Sequence, residues 1–101
     1  MVVHIVMFQF KEENKVRNLA KVQDKLEQLE DKIDVLRTME VGINFNESER
    51  AMDLSLYSTF ENEEDLKAYA VHPEHLKVVA LIKEVTLTSK VVDYYLDYPL
   101  E

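Results

Sequence analysis

Val2-Val3-His4-Ile5-Val6-Met7-Phe8-Gln9-Phe10 is the stretch on which the fold turns. Successive side chains of a strand point to opposite faces. Val3, Ile5 and Met7 therefore share one side, while Val2, His4, Val6, Phe8 and Phe10 share the other. Both sets are apolar. A sheet in a small antiparallel fold normally buries one face and wets the other, so this strand asks for cover on two sides.

Working outward, residues 15–33 carry Val16, Leu19, Val22, Leu26, Leu29 and Ile33 at helical spacing, with Lys21, Asp24, Lys25 and Lys32 on the outer face. A short coiled coil competes for that pattern, but three heptads beside a strong strand favour a helix packed on a sheet. A second strand is expected from about Val35 to Phe45, with Met39, Val41, Ile43 and Phe45 on one face. Gly42 inside it suggests a bulge or the close approach of another backbone. After the polar turn Asn44–Arg50, a third strand alternates Met52, Leu54, Leu56, Ser58 and Phe60 against Asp53, Ser55, Tyr57 and Thr59. Asn62 then caps a helix with Glu63, Glu64 and Asp65 in its first turn. That helix carries Leu66, Tyr69 and Ala70 and stops before Pro73, which disfavours helical geometry at His72. Pro73 opens a second helical piece to about Glu84, whose expected stripe is Leu76, Val79, Ala80 and Lys83, broadened by Val78, Leu81, Ile82 and Val85. A last strand runs from Thr86 to about Leu96, followed by the tail Asp97–Glu101. The order β-α-β-β-α-β is the split βαβ pattern of an α+β, ferredoxin-like sandwich with an antiparallel sheet.

Composition bounds the chemistry. The chain has 101 residues, 20 acids against 12 bases, no cysteine and one glycine. Its length predicts a single domain over 1–101. Lack of cysteine removes disulfides and thiolate sites and suits a reducing compartment, so a cytoplasmic location is expected. A formal charge of -8 disfavours nucleic acid and anionic membrane as partners. No long apolar run spans a bilayer, and Met1-Val2-Val3-His4 lacks the charged start of a signal peptide. The charge is local. Lys11–Arg37 holds seven bases and seven acids, whereas Glu40–Asp65 holds eight acids and only Arg50. This is either an electronegative edge that steers cations, or a solvated hairpin tip followed by acids at a helix start.

The sequence resembles the stress-responsive A/B barrel (Dabb) family, within the dimeric α+β barrel superfamily. The resemblance rests on His4-Ile5-Val6-Met7-Phe8-Gln9-Phe10-Lys11, on Val41-Gly42, and on Asp53-Leu54-Ser55-Leu56 leading to Phe60. It continues through Asp65–His75 and ends with Val91-Val92-Asp93-Tyr94. The Tyr69–His75 run is its most specific part. It implies a subunit that pairs sheet to sheet as a homodimer, which supplies the second cover that the first strand requires.

In plant polyketide cyclases of this family, the histidine ending His-Pro-x-His acts as a base and the tyrosine six residues earlier assists. Those motif positions fall on His75 and Tyr69 here. An imidazole can remove a proton beside a carbonyl, and a phenol can hold the developing enolate. His75 sits in the first turn of a helix, whose positive end lowers its pKa. The bland alternative makes His72 and His75 a helix-joining corner and Tyr69 a core residue with a satisfied hydroxyl. His4, His72 and Leu54 are the candidate pocket residues, and His4 can equally pack at the dimer seam. His72, His75, Glu74 and His4 are metal-ligand types, yet their spacing fits no established metal motif, so no metal and no cofactor is expected. Asp93-Tyr94-Tyr95 with Tyr98 suits seam packing or ligand stacking. Two function classes remain. The preferred one is a small homodimeric domain binding an apolar or aromatic molecule between sheet and helices. The other is a cofactor-free enzyme, cyclase-like through His75 and Tyr69, with a cofactor-free monooxygenase behind it.

Overall fold

The computed structural model describes residues 1–96. Its elements are β1 (Val2–Phe10), α1 (Lys15–Lys32), β2 (Thr38–Ile43), β3 (Leu54–Phe60), α2 (Glu63–Ala70), α3 (Pro73–Val85) and β4 (Thr86–Tyr95). The strands form a four-stranded antiparallel sheet in the order β2-β3-β1-β4. The helices lie on one side of it, which is the ferredoxin-like arrangement expected from the order of elements. The tail Asp97–Glu101, including Tyr98, lies outside the described residues.

β1 is an inner strand, and its two faces meet different fates. Val2, Phe8 and Phe10 are buried with Leu54, Leu56 and Phe60 of β3 and with Val22, Leu26 and Leu29 of α1. Burying each such side chain stabilises the fold by about 1.5–3 kcal/mol relative to leaving it in water. On the opposite face Val3 is buried, but Met7 and the β4 residues Val92 and Tyr94 are 40–49 % exposed. The second face is therefore only partly covered within the chain.

α1 starts after Asn14, whose φ of 55° is left-handed, a conformation that asparagine tolerates better than most residues. β2 is shorter than the expected 35–45. At its start, Leu36 N–H turns back to the Ile33 carbonyl. At its end, Asn46 N–H donates to Asn44 Oδ1, and Asn44 Nδ2 donates to the Asn46 carbonyl. This Asx turn competes with the ladder and takes Phe45 off the strand face, leaving it 97 % exposed. Gly42 marks no bulge, since its pairing with Ser55 continues the β2–β3 register unbroken. The one shift between β1 and β4 falls at Gln9/Phe10 instead.

α2 is capped as expected, with Asn62 Oδ1 accepting from Asp65 N–H at 2.8 Å. α3 is rotated from its expected phase. Val78 and Ile82 are buried and Leu76 is exposed. Apolar residues surround this helix, so its phase is set by the α2–α3 corner rather than by its own pattern.

Candidate functional site

The site lies between the helix-facing side of the sheet and α2–α3. The antiparallel register places His4 between Ser58 of β3 and Asp93 of β4, on one face. Ser58 Oγ donates to the His4 carbonyl at 3.0 Å, and His4 Nδ1 is hydrogen-bonded to Asp93 Oδ1. A carboxylate only accepts, so Nδ1 of His4 carries the proton. Asp93 was legible only as part of a motif. Its role follows from the β1–β4 register, which the sequence pattern does not specify.

The α2–α3 corner supplies the other groups. Pro73 takes the first position of α3, and His72 caps it, with Nδ1 accepting from Glu74 N–H at 3.1 Å. His75 Nδ1 donates to the Ala70 carbonyl at 3.1 Å, across the corner. This bond fixes the neutral ring with Nε2 as its basic atom. The His75 ring packs on Tyr69 with centroids 4.2 Å apart, and Tyr69 packs on Phe60 at 5.0 Å. Burial lowers the His75 pKa, assisted by the nearby His4 and His72, while the Ala70 bond acts the other way. The direction matches the expectation from the helix dipole; the leading cause is desolvation. Tyr69 is 2 % exposed, and burial raises its phenol pKa, so it stays protonated and able to donate.

His4, Tyr69 and His75 meet at a cavity of about 170 Å³. Its other walls are mostly apolar, from Val6, Phe8, Leu56, Val78, Val79 and Ile82, with Thr86, Ser89 and Lys83 also lining it. Two residues expected at the pocket lie elsewhere. His72 is spent on capping α3, and Leu54 is buried in the core, where it lines a hollow near the β2–β3 turn. Leu56, one position further along the same face, lines the cavity instead. Tyr94 falls on the helix-free face. Tyr95 falls on the helix-facing side, and both border a separate cleft with Val2 and Leu66. Glu74 bonds Lys77 at 3.2 Å and pairs with Lys32 at 3.7 Å, and its pKa is lowered chiefly by the Lys77 bond. Among the described residues, no three His, Cys, Asp or Glu side chains converge as a metal site, and no helix is long and apolar enough to cross a membrane.

Comparison with known proteins places this geometry. A dimeric protein of unknown function and ferredoxin-like fold from Bacteroides fragilis is 36 % identical, with a TM-score of 0.87 over 94 % of this chain and 95 % of that one. A dimeric ferredoxin-like protein of unknown function from Thermobifida fusca superposes with a TM-score of 0.84 at 21 % identity, over 94 % and 90 % of the two chains. A hydroxynitrile lyase from Passiflora edulis shares the fold at 16 % identity, with a TM-score of 0.85 over 99 % and 96 %. No protein of curated function matches the sequence. Residues 2–96 match the stress responsive A/B barrel domain, and the chain belongs to that family.

Proposed function

We propose that the protein is a homodimer, paired through its helix-free sheet faces, whose cavity binds a small apolar or aromatic molecule bearing one polar group. The observation that carries this reading is the cavity itself: mostly apolar walls with His4, Tyr69 and His75 gathered at it. A volume of about 170 Å³ is close to the roughly 150 Å³ of an apolar cavity able to hold benzene. The protonated Tyr69 hydroxyl and the His75 Nε2 offer a donor and an acceptor for a carbonyl or hydroxyl. Pairing is supported by the exposed Met7, Val92 and Tyr94 on the helix-free face and by the dimeric state of the Bacteroides fragilis relative.

Titration with acetophenone, followed by amide shifts, tests the cavity. Shifts should cluster at Val6, Tyr69, His75 and Val78 with a Kd of about 1 mM, as expected for a ligand of this size. Val79→Phe, which fills the cavity, should abolish them. Shifts elsewhere, or none up to the ligand's solubility, refute the binding reading.

A second reading is favoured by the neutral His75: it removes a proton beside a ligand carbonyl, with Tyr69 holding the enolate. The hydroxynitrile lyase among the structural neighbours supports carbonyl-related chemistry on this fold. Deuterium exchange into the methyl group of acetophenone reads it directly. His75→Gln should lower the exchange rate by about 10²–10⁴-fold without loss of fold. An unchanged rate leaves the binding reading standing alone.

A further inference from the structure

A glycine inside a strand loses more backbone freedom on folding than any other residue and gives no side chain to pack. Among the described residues nothing offsets that loss at Gly42. Its φ is not positive, and its pairing with Ser55 has no bulge. A Cβ placed on it would meet only Ser55 Oγ, at 4.0 Å, among the described residues. The register sets Gly42, Ser55 and Met7 in one row on the helix-free face. Two small residues beside Met7 leave a hollow of about 340 Å³, walled also by Ile43, Phe45 and Met52. Phe45, at its edge, is almost fully exposed.

We propose that this hollow is a socket for the second copy of the chain, with Gly42 giving the clearance and Phe45 the grip. The inference rests on the proposed sheet-to-sheet pairing and deepens it, by naming the residues that set how closely the two sheets approach. The occupant is a second copy because Met7, Gly42 and Ser55, which line the hollow, lie on the same face as the exposed Val92 and Tyr94, and because the 36 % identical Bacteroides fragilis protein is dimeric. An aromatic residue exposed in the single chain and desolvated by a partner is the usual form of an interface anchor. A bare glycine beside it lets a partner side chain enter where any larger residue would hold the sheets apart.

Sedimentation across a dilution series tests this with Gly42→Leu, Phe45→Ala and, as a control, Leu76→Ala, an exposed residue of α3 in the helix layer. Gly42→Leu and Phe45→Ala should each raise the dimer dissociation constant at least tenfold, while Leu76→Ala leaves it unchanged. Gly42→Leu fills open space and raises strand propensity, so its circular dichroism should match the wild type. If it fails to fold, Phe45→Ala decides, since it changes only an exposed side chain. Wild-type dimer affinity in Phe45→Ala and in a folded Gly42→Leu overturns the socket while leaving the pairing intact. A monomeric wild type overturns both.

Discussion

Replacing Asp53 with alanine should destabilise the protein by about 2–4 kcal/mol, although the residue sits in a loop. Its side chain joins two elements. Oδ2 accepts from the Phe10 N–H at 2.7 Å, at the end of β1, and Oδ1 pairs with Lys15 Nζ at 3.0 Å, at the start of α1. Its backbone is engaged as well, with its N–H donating to the Phe8 carbonyl and its carbonyl accepting from Asn44. Phe10 is buried, so alanine leaves its N–H without a partner and forfeits a charge-assisted bond worth about 1.5–3 kcal/mol. The ion pair is partly exposed and adds at most about 1 kcal/mol. Lys15 feels the contact, its pKa being raised mainly by the bond to Asp53. For a chain of this size the Tm should fall by roughly 10–25 °C. Asp53→Asn keeps an acceptor and should lose about 1 kcal/mol, and Lys15→Met, which removes only the ion pair, less than that. Urea unfolding at fixed protein concentration and pH 7 measures all three. An Asp53→Ala loss below about 0.5 kcal/mol, or a Lys15→Met loss equal to it, refutes the argument that the Phe10 bond dominates.

Four further outcomes are expected. The lowered His75 pKa means that the unfolded chain takes up its proton first as pH falls, so this stability is full above about pH 6.5 and is lost below it; the slope from this group is at most about 1.4 kcal/mol per pH unit, and His75→Gln should flatten it in urea titrations between pH 7 and 5. Glu74, also lowered, acts in a separate window, its contribution being lost as pH falls below about 4.5. Asn62→Ala removes the cap of α2 and should cost about 1 kcal/mol by urea unfolding, with Asn62→Asp close to wild type. Tyr69→Ala should cost about 3–5 kcal/mol, whereas Tyr69→Phe keeps the packing on Phe60 and His75 and should cost under about 1.5 kcal/mol while weakening ligand binding.

The order of elements was legible because α1 and β3 each hold one clear period of apolar residues and β1 is a short run apolar on both faces. The helix-joining corner was legible at Pro73, since proline restricts the residue before it. What escaped was tertiary. The phase of α3 hangs on the corner, because apolar residues surround that helix. Phe45 fits the alternation of β2, and only the Asn44–Asn46 hydrogen bonds take it off the strand. At the site, His75 and Tyr69 are close in sequence and were paired by their motif. His4 and Asp93 are far apart and meet only through the register of β1 with β4. His72 carries the right chemistry for a pocket, but a helix start with a proline at its first position claims its ring for the cap. Asp53, one of the acids of the electronegative stretch, is a structural joint rather than a solvated charge.

The strand order also fixes when the sheet can be completed. β1 precedes the other described strands in the chain and is an inner member of the sheet, and one of its partners is β4, which follows them: Val2 lies opposite Tyr95. A nascent chain that has reached Val85 has all three described helices available but leaves one edge of β1 bare, on a strand that is apolar on two faces. Such an edge is a template for pairing with another chain. Pairings between distant segments also slow folding, to the millisecond-to-second range for sheet-dominated domains. Vulnerability to aggregation is therefore concentrated in the interval between synthesis of α3 and arrival of β4, and truncation within β4 makes that interval permanent.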